Sequence, residues 1–155
     1  MTDDILEKKK LFEENIAKEN YSASIISKVQ IEMGYRVSEA VEVVKNFSKY
    51  FDSVSNTIKN VSGKGGHIYS SKPISSSLIT KLKLLSGEKI ISQRAYQKIL
   101  SKFEVKSHDF RFTYAKNLFA MCLNSNISYS DSLSFVSKNL GHKRKFMTLY
   151  YLKRS

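Results

Sequence analysis

Apolar residues recur along this chain at intervals of three, four and seven, the mark of helices that bury one face. Ile5, Phe12 and Ile16 predict a first helix, with Thr2 as its cap and Asp3 and Asp4 in its first turn. Ile25, Val29 and Met33 predict a second, starting after Tyr21-Ser22 and stopped by Gly34. Past Tyr35-Arg36-Val37, Ser38 can cap a third that carries Ala40, Val41, Val43 and Val44. Leu78, Leu82 and Leu85 mark another, capped by Ser75 and ended by Gly87. Ser92 opens the helix of Tyr96, Ile99, Leu100 and Phe103. After Ser107, Phe110, Tyr114, Leu118 and Cys122 fall four apart on one stripe. A polar break over Asn124–Ser130 follows, and Ser130 can cap a helix with Leu133, Val136 and Leu140, closed by Gly141. A short last helix holds Thr148 to Leu152.

Between Phe47 and Ser71 the rhythm changes. Val54, Thr57, Ile58, Val61, Ile68 and Tyr69 fit short strands, and Gly63-Lys64-Gly65-Gly66 reads as a hairpin turn with Lys64 at its tip. It is not a phosphate-cradling P-loop, because His67 follows Gly66 where a Lys-Ser or Lys-Thr ending is needed. Pro73, the single proline, marks the passage into the next helix. The expected fold class is α+β, mainly helical, with a small antiparallel β-sheet, in one compact domain over 1–155. Its core helices are those around Val29, Leu82, Ile99 and Leu118.

Composition adds a direction to this frame. The chain has 155 residues and a hydrophobic fraction of 41%, enough for a real core. Its 26 Lys+Arg against 14 Asp+Glu leave +12, which favours a polyanionic partner, most simply nucleic acid. Lys8, Lys9 and Lys10 read as a solvated helix face rather than a dedicated contact. Cys122 is the single cysteine, so neither an intrachain disulfide nor a multi-cysteine zinc site can form. No carboxylate cluster suits a two-metal mechanism. No metal and no cofactor is expected. The start lacks the pattern of a signal peptide and no apolar run approaches the ~20 residues that cross a bilayer, so the expected location is cytoplasmic, with no membrane partner.

The chemistry gathers at element junctions. Arg36 sits between two apolar helices, partly buried, and needs an anion such as Glu39 or Glu32. His108 and Arg111, three apart, project from one side of a helix's first turn. His142 follows Gly141 directly and precedes Lys143-Arg144-Lys145. Tyr150 and Tyr151 point about 100° apart on a helix, so one of them faces a shared site and the other packs on the core. Arginine gives phosphate a fixed fork of donors, histidine moves a proton near neutral pH, and tyrosine can attack covalently. Together they suit a phosphodiester. His67 matches no such position and reads as surface.

In this order the motifs resemble those of the tyrosine recombinases, also called phage integrases. Gly34-Tyr35-Arg36-Val37-Ser38-Glu39-Ala40 is similar to that family's first arginine motif, and Gly63-Lys64-Gly65-Gly66 to its hairpin lysine. His108-Asp109-Phe110-Arg111-Phe112-Thr113-Tyr114-Ala115 is close to its His-x-x-Arg box. Leu140-Gly141-His142, with Tyr151 nine residues after the histidine, matches its terminal box and favours Tyr151 over Tyr150. The resemblance spans most of the chain. It implies site-specific recombination or integration of double-stranded DNA through a 3′-phosphotyrosyl intermediate, needing neither ATP nor metal. Arg36, Arg111 and His142 would donate to the non-bridging phosphate oxygens, and Lys64 would protonate the leaving 5′-oxygen. His108 would accept the phenol proton or hold the phosphate, with Glu39 and Asp109 orienting the arginines and the helix start.

The family also implies a homo-oligomer, a tetramer, on DNA. The stretch ahead of Arg36 is too short for the family's separate N-terminal DNA-binding domain, and little follows Tyr151. Weak, salt-sensitive DNA binding and poor self-assembly without DNA are therefore expected. Two other readings share the residues: a relaxing topoisomerase with the same tyrosine logic, and a DNA-binding module that keeps the fold without the chemistry.

Overall fold

The computed structural model describes residues 3–153, with residues 3–9 described by their backbone alone. Thr2, and the side chains of Asp3, Asp4, Ile5, Lys8 and Lys9, lie outside what is described. The chain opens with α1 (Asp3–Glu19), α2 (Tyr21–Met33), α3 (Val37–Lys45) and the short α4 (Phe47–Tyr50). Then come β1 (Phe51–Asp52), β2 (Thr57–Ile58), a 3-10 turn at Lys64–Gly66 and β3 (Lys72–Pro73). It closes with α5 (Ser76–Leu84), α6 (Gln93–Lys102), α7 (Ser107–Asn124), α8 (Tyr129–Leu140) and α9 (Lys145–Lys153). The fold is α+β and mainly helical, with one three-stranded antiparallel sheet in the order β1-β2-β3.

Helix ends follow local chemistry. Asn20 caps α2 through its side chain, Ser75 caps α5 and Ser92 caps α6. Gly34 and Gly141 end α2 and α8 in the left-handed conformation, at φ 74° and 73°. Two caps differ from expectation. Ser128, not Ser130, accepts from Asp131 N and starts α8 two residues earlier. Arg36, not Ser38, is the cap of α3, because Glu39 turns back to accept from the Arg36 backbone N–H at 2.8 Å.

The sheet has shorter strands than its sequence suggests, and its outer strands, Phe51–Asp52 and Lys72–Pro73, lie on either side of the expected strand residues. Val54 lies in a turn and is 95% exposed, held there by Asp52, whose carboxylate accepts from Val54 N. Pro73 belongs to β3 and pairs opposite Thr57. It can occupy an edge strand because that strand's outer N–H groups have no ladder partner. An isolated bridge, Ser62 to Ile68, carries the β2–β3 hairpin towards the Lys64 turn.

Buried side chains form two clusters. The larger is built on α2, whose Ile25, Ile26, Val29 and Met33 pack with Ala40, Val43, Leu82, Tyr96 and Leu100. Serines 22, 24 and 27 are buried on the same helix, and each hydroxyl donates to an oxygen within four residues. Gln30, fully buried, accepts from Tyr96 Oη at 2.9 Å and donates to Tyr35 O, tying α2 to α6. The smaller cluster joins Phe112, Tyr114 and Ala115 of α7 to Val136 and Leu140 of α8 and Tyr151 of α9, with Leu118 against it. Val29, Leu82 and Ile99 thus belong to one core and Leu118 to the other. The candidate site lies at the seam between them.

Candidate active site

Two helix C-termini meet at this seam. The last carbonyls of a helix have no partner within it and carry its negative dipole end. Here Arg111, with 0% exposure, donates from Nη1 to Gly34 O at 2.6 Å and from Nη2 to Leu140 O at 2.9 Å. One guanidinium thus joins the end of α2 to the end of α8. Arg36 and His142 each stand two residues beyond these carbonyls, so the same contact brings them to one place.

Arg36 is held by a short network. Its Nη1 donates to Tyr69 Oη at 3.1 Å and lies 3.7 Å from Glu39 Oε2, and Tyr69 Oη donates to Glu39 Oε1 at 2.8 Å. Glu39 is therefore the anion the sequence asks for. Glu32 instead accepts from the Ser75 backbone and hydroxyl. Tyr69 approaches so closely that a Cβ on Gly63 would lie 2.8 Å from its ring and 3.0 Å from Glu39 Oε2.

Tyr151 is 3% exposed, and its hydroxyl lies 2.7 Å from His108 Nε2. The His142 ring crosses it edge-on at 4.5 Å between centroids, and the Arg111 guanidinium stands 5.6 Å from its ring centre. Tyr150 does not pack on the core. It is 50% exposed and touches the rings of Phe112 and Tyr151. On α9 the core side takes the residue nine positions after His142 and turns its neighbour outward, reversing the burial expected for Tyr150.

His142 Nδ1 lies 2.9 Å from Thr148 Oγ1, which in turn lies 2.6 Å from Ser137 Oγ. With Thr148 donating to Nδ1, the ring proton resides on Nε2, which is buried and has no protein partner. Arg111 Nε is likewise buried and unpartnered. Burial, then the charges of Arg111, Arg36 and His108, push the His142 imidazole down to about 4. Burial and the same two arginines lower His108, and Asp109 partly offsets them. Both rings are thus neutral at pH 7, and the cluster is short of negative charge. Asp109 also accepts from the Lys106 backbone and closes the start of α7.

Lys64 stands apart. It is exposed on the 3-10 turn, which Gly63 N closes by donating to His67 O at 2.6 Å, and it makes no hydrogen bond or ion pair within the described residues. His67 is not a plain surface residue. It is half-buried, edge-on to Tyr69 at 5.1 Å, and its Nε2 is buried without a protein partner. It lies against Gly141, where a Cβ would stand 3.0 Å from His67 Cδ2.

Sequence reading missed three contributors. Lys72 is buried at the seam, Tyr69 carries Arg36, and Thr148 orients His142. Thr148 sits three residues before Tyr151, one helical turn away, which places it on Tyr151's face. Lys72 gave no such signal, because a lysine between serine and proline reads as solvent-facing.

Among the described residues no group of three or more His, Cys, Asp or Glu could hold a metal ion. No helix among them is long and apolar enough to cross a membrane. No protein-family model, no curated protein and no solved structure matches this chain.

Proposed function

We propose that this chain cuts and rejoins double-stranded DNA by attack of Tyr151 on a backbone phosphate, in the manner of the tyrosine recombinases it resembles. One observation carries the reading: the Tyr151 hydroxyl rests on a neutral imidazole, His108, while Arg111 Nε and His142 Nε2, both buried beside its ring, lack any protein partner. Buried donors are normally satisfied, and unsatisfied ones that converge with positive charge suit an anion.

The step balances without cofactor. Tyr151 Oη bonds to phosphorus as His108 Nε2 takes the phenol proton, and the bond from phosphorus to the 5′-oxygen breaks. The leaving oxygen takes a proton, which Lys64 can supply from the hairpin. A 3′-phosphotyrosyl link remains, and attack on it by a 5′-hydroxyl reverses each transfer. A free phenol, with a pKa of ~10, needs both a base and a cationic surround to attack at neutral pH. His108 gives the first. Arg36 and Arg111 give the second, and the neutral His142 adds a hydrogen-bond donor; together they stabilise charge on the non-bridging oxygens as it builds. Arg111 has no exposure, so a phosphate reaches it only after side chains around it, such as the Tyr151 ring, move.

The test is a nicked duplex that traps the covalent adduct. The wild-type chain and Tyr150→Phe should each become covalently linked to the DNA, and Tyr151→Phe should not. An adduct that survives Tyr151→Phe, or none with any variant on any duplex, overturns the reading. Adduct formation without site preference, with relaxation of supercoiled plasmid, would assign the same chemistry to a topoisomerase.

A further inference from the structure

A second cation lies beneath the first. Lys72, at the start of β3, is 2% exposed, and its Nζ donates to Met33 O and to Asn139 O, each at 2.5 Å. Arg111 donates to the next carbonyl in each segment, Gly34 O and Leu140 O. Two cations therefore bridge the same two helix ends at consecutive positions. The carbonyls at both ends point inward with negative dipole character, so without charge between them they repel.

The rest of the lysine's surroundings are aromatic. Nζ stands 4.7 Å from the Tyr35 ring centre and 4.8 Å from those of Tyr69 and Tyr114. Burial holds the Tyr35 and Tyr114 phenols well above their ordinary range, so they stay neutral and offer π faces only. The nearest carboxylate influence is Glu39, which is bonded to Arg36 and Tyr69 instead. Stability alone gives little reason to bury an ammonium without a carboxylate, since an apolar side chain of similar volume is commonly as good or better.

We propose that Lys72 is a positioning residue: its ammonium, with Arg111, locks the C-termini of α2 and α8 together and so sets the distance between Arg36 and His142. The consequence for rate rests on the proposed strand cleavage; the lock itself does not. Titration of the lysine offers a readout. Burial, then Arg111, push Lys72 down to about 7, and Glu39 partly offsets them. The groups facing it are Arg111 and Tyr114 from α7, Tyr69 from the hairpin, Tyr35 from the α2–α3 link and Glu39 from α3, while α2 and α8 present carbonyls. Loss of the proton removes the charge that holds the two ends. Linkage gives folding the opposite sign: the unfolded chain keeps this proton up to about 10.5, so the lysine's own contribution to stability rises with pH above 7. A purely structural lysine would not lower the rate while stability rises.

The experiment uses the full chain, labelled with nitrogen-15, as wild type, Lys72→Met and Lys72→Arg between pH 6 and 8. The His142 ring nitrogens and the Gly34 and Gly141 amides are followed by NMR. Adduct formation is timed on the nicked duplex at saturating DNA. In wild type these resonances should move with one shared midpoint near 7, and Lys72→Met at pH 6 should resemble wild type at pH 8. The adduct rate should fall on the order of a hundredfold in Lys72→Met with DNA affinity little changed. Lys72→Arg should keep its rate at pH 8, where wild type slows. Lys72→Met with unshifted resonances and an unchanged rate overturns the proposal. If Lys72→Met does not fold, the wild-type titration decides, and the lack of a shared midpoint overturns it. Resonances that move together in a wild type that forms no adduct would uphold the lock and count against the Tyr151 chemistry alone.

Discussion

At the scale of single residues, the candidate site is a group of bases held short of protons. His142 binds its proton less tightly folded than unfolded, since burial and neighbouring cations bring it to about 4. His108 is lowered for the same reasons. A base whose folded pKa is depressed loses stability as acid protonates the unfolded chain first. The contribution is complete above about 6.5 and is lost as the pH falls towards 4. His142 is only half-buried, so solvent screening reduces its share to about 1–2 kcal/mol. Unfolding free energies from urea melts at pH 7 and pH 4.5 should differ by that much more in wild type than in His142→Gln. Residue identity was the most legible level. Arg36, His108, Arg111, His142 and Tyr151 meet around one seam, and Glu39 holds Arg36. Tyr69, Lys72 and His67 stayed hidden because their burial is decided by the hairpin's path, which periodicity does not encode.

At the scale of elements, helices were legible and strands only in part: the small antiparallel sheet and Thr57–Ile58 were expected, while Phe51–Asp52 and Lys72–Pro73 were not. Stripes such as Ile25-Val29-Met33 fix a helix through many repeated contacts, whereas a strand of two residues has no pattern to read. Val54 shows the cost: it is β-branched and apolar, yet the Asp52 turn decides its place. The most constrained junction is the end of α2. A Cβ on Gly34 would lie 2.1 Å from Tyr114 Cδ1, at a φ of 74°. Gly34→Ala should therefore destabilise by about 2–4 kcal/mol, combining overpacking with backbone strain. Gly87 has a similar φ of 82° but nothing within 4 Å, so Gly87→Ala should cost about 1 kcal/mol. Urea unfolding of the two variants measures the difference, and equal losses would mean that Tyr114 can move aside.

At the scale of the molecule, charge and topology act together. The formal charge is +12, and Lys143, Arg144 and Lys145 are exposed directly after His142. If DNA lies across the site, these side chains meet its phosphates. Replacing all three with Gln should lower the slope of log affinity against log salt by about two to three units, measured by fluorescence anisotropy between roughly 50 and 200 mM salt. An unchanged slope would place the duplex elsewhere.

The packing of α9 on α7 and α8 of the same chain has a stoichiometric consequence. Tyr151 and His108, the phenol and imidazole of the proposed proton transfer, belong to one polypeptide. In the proposed reaction a solitary molecule is therefore equipped to nick and reseal a single strand. Exchange between two duplexes would call for further copies to supply a second broken end, not to complete the first.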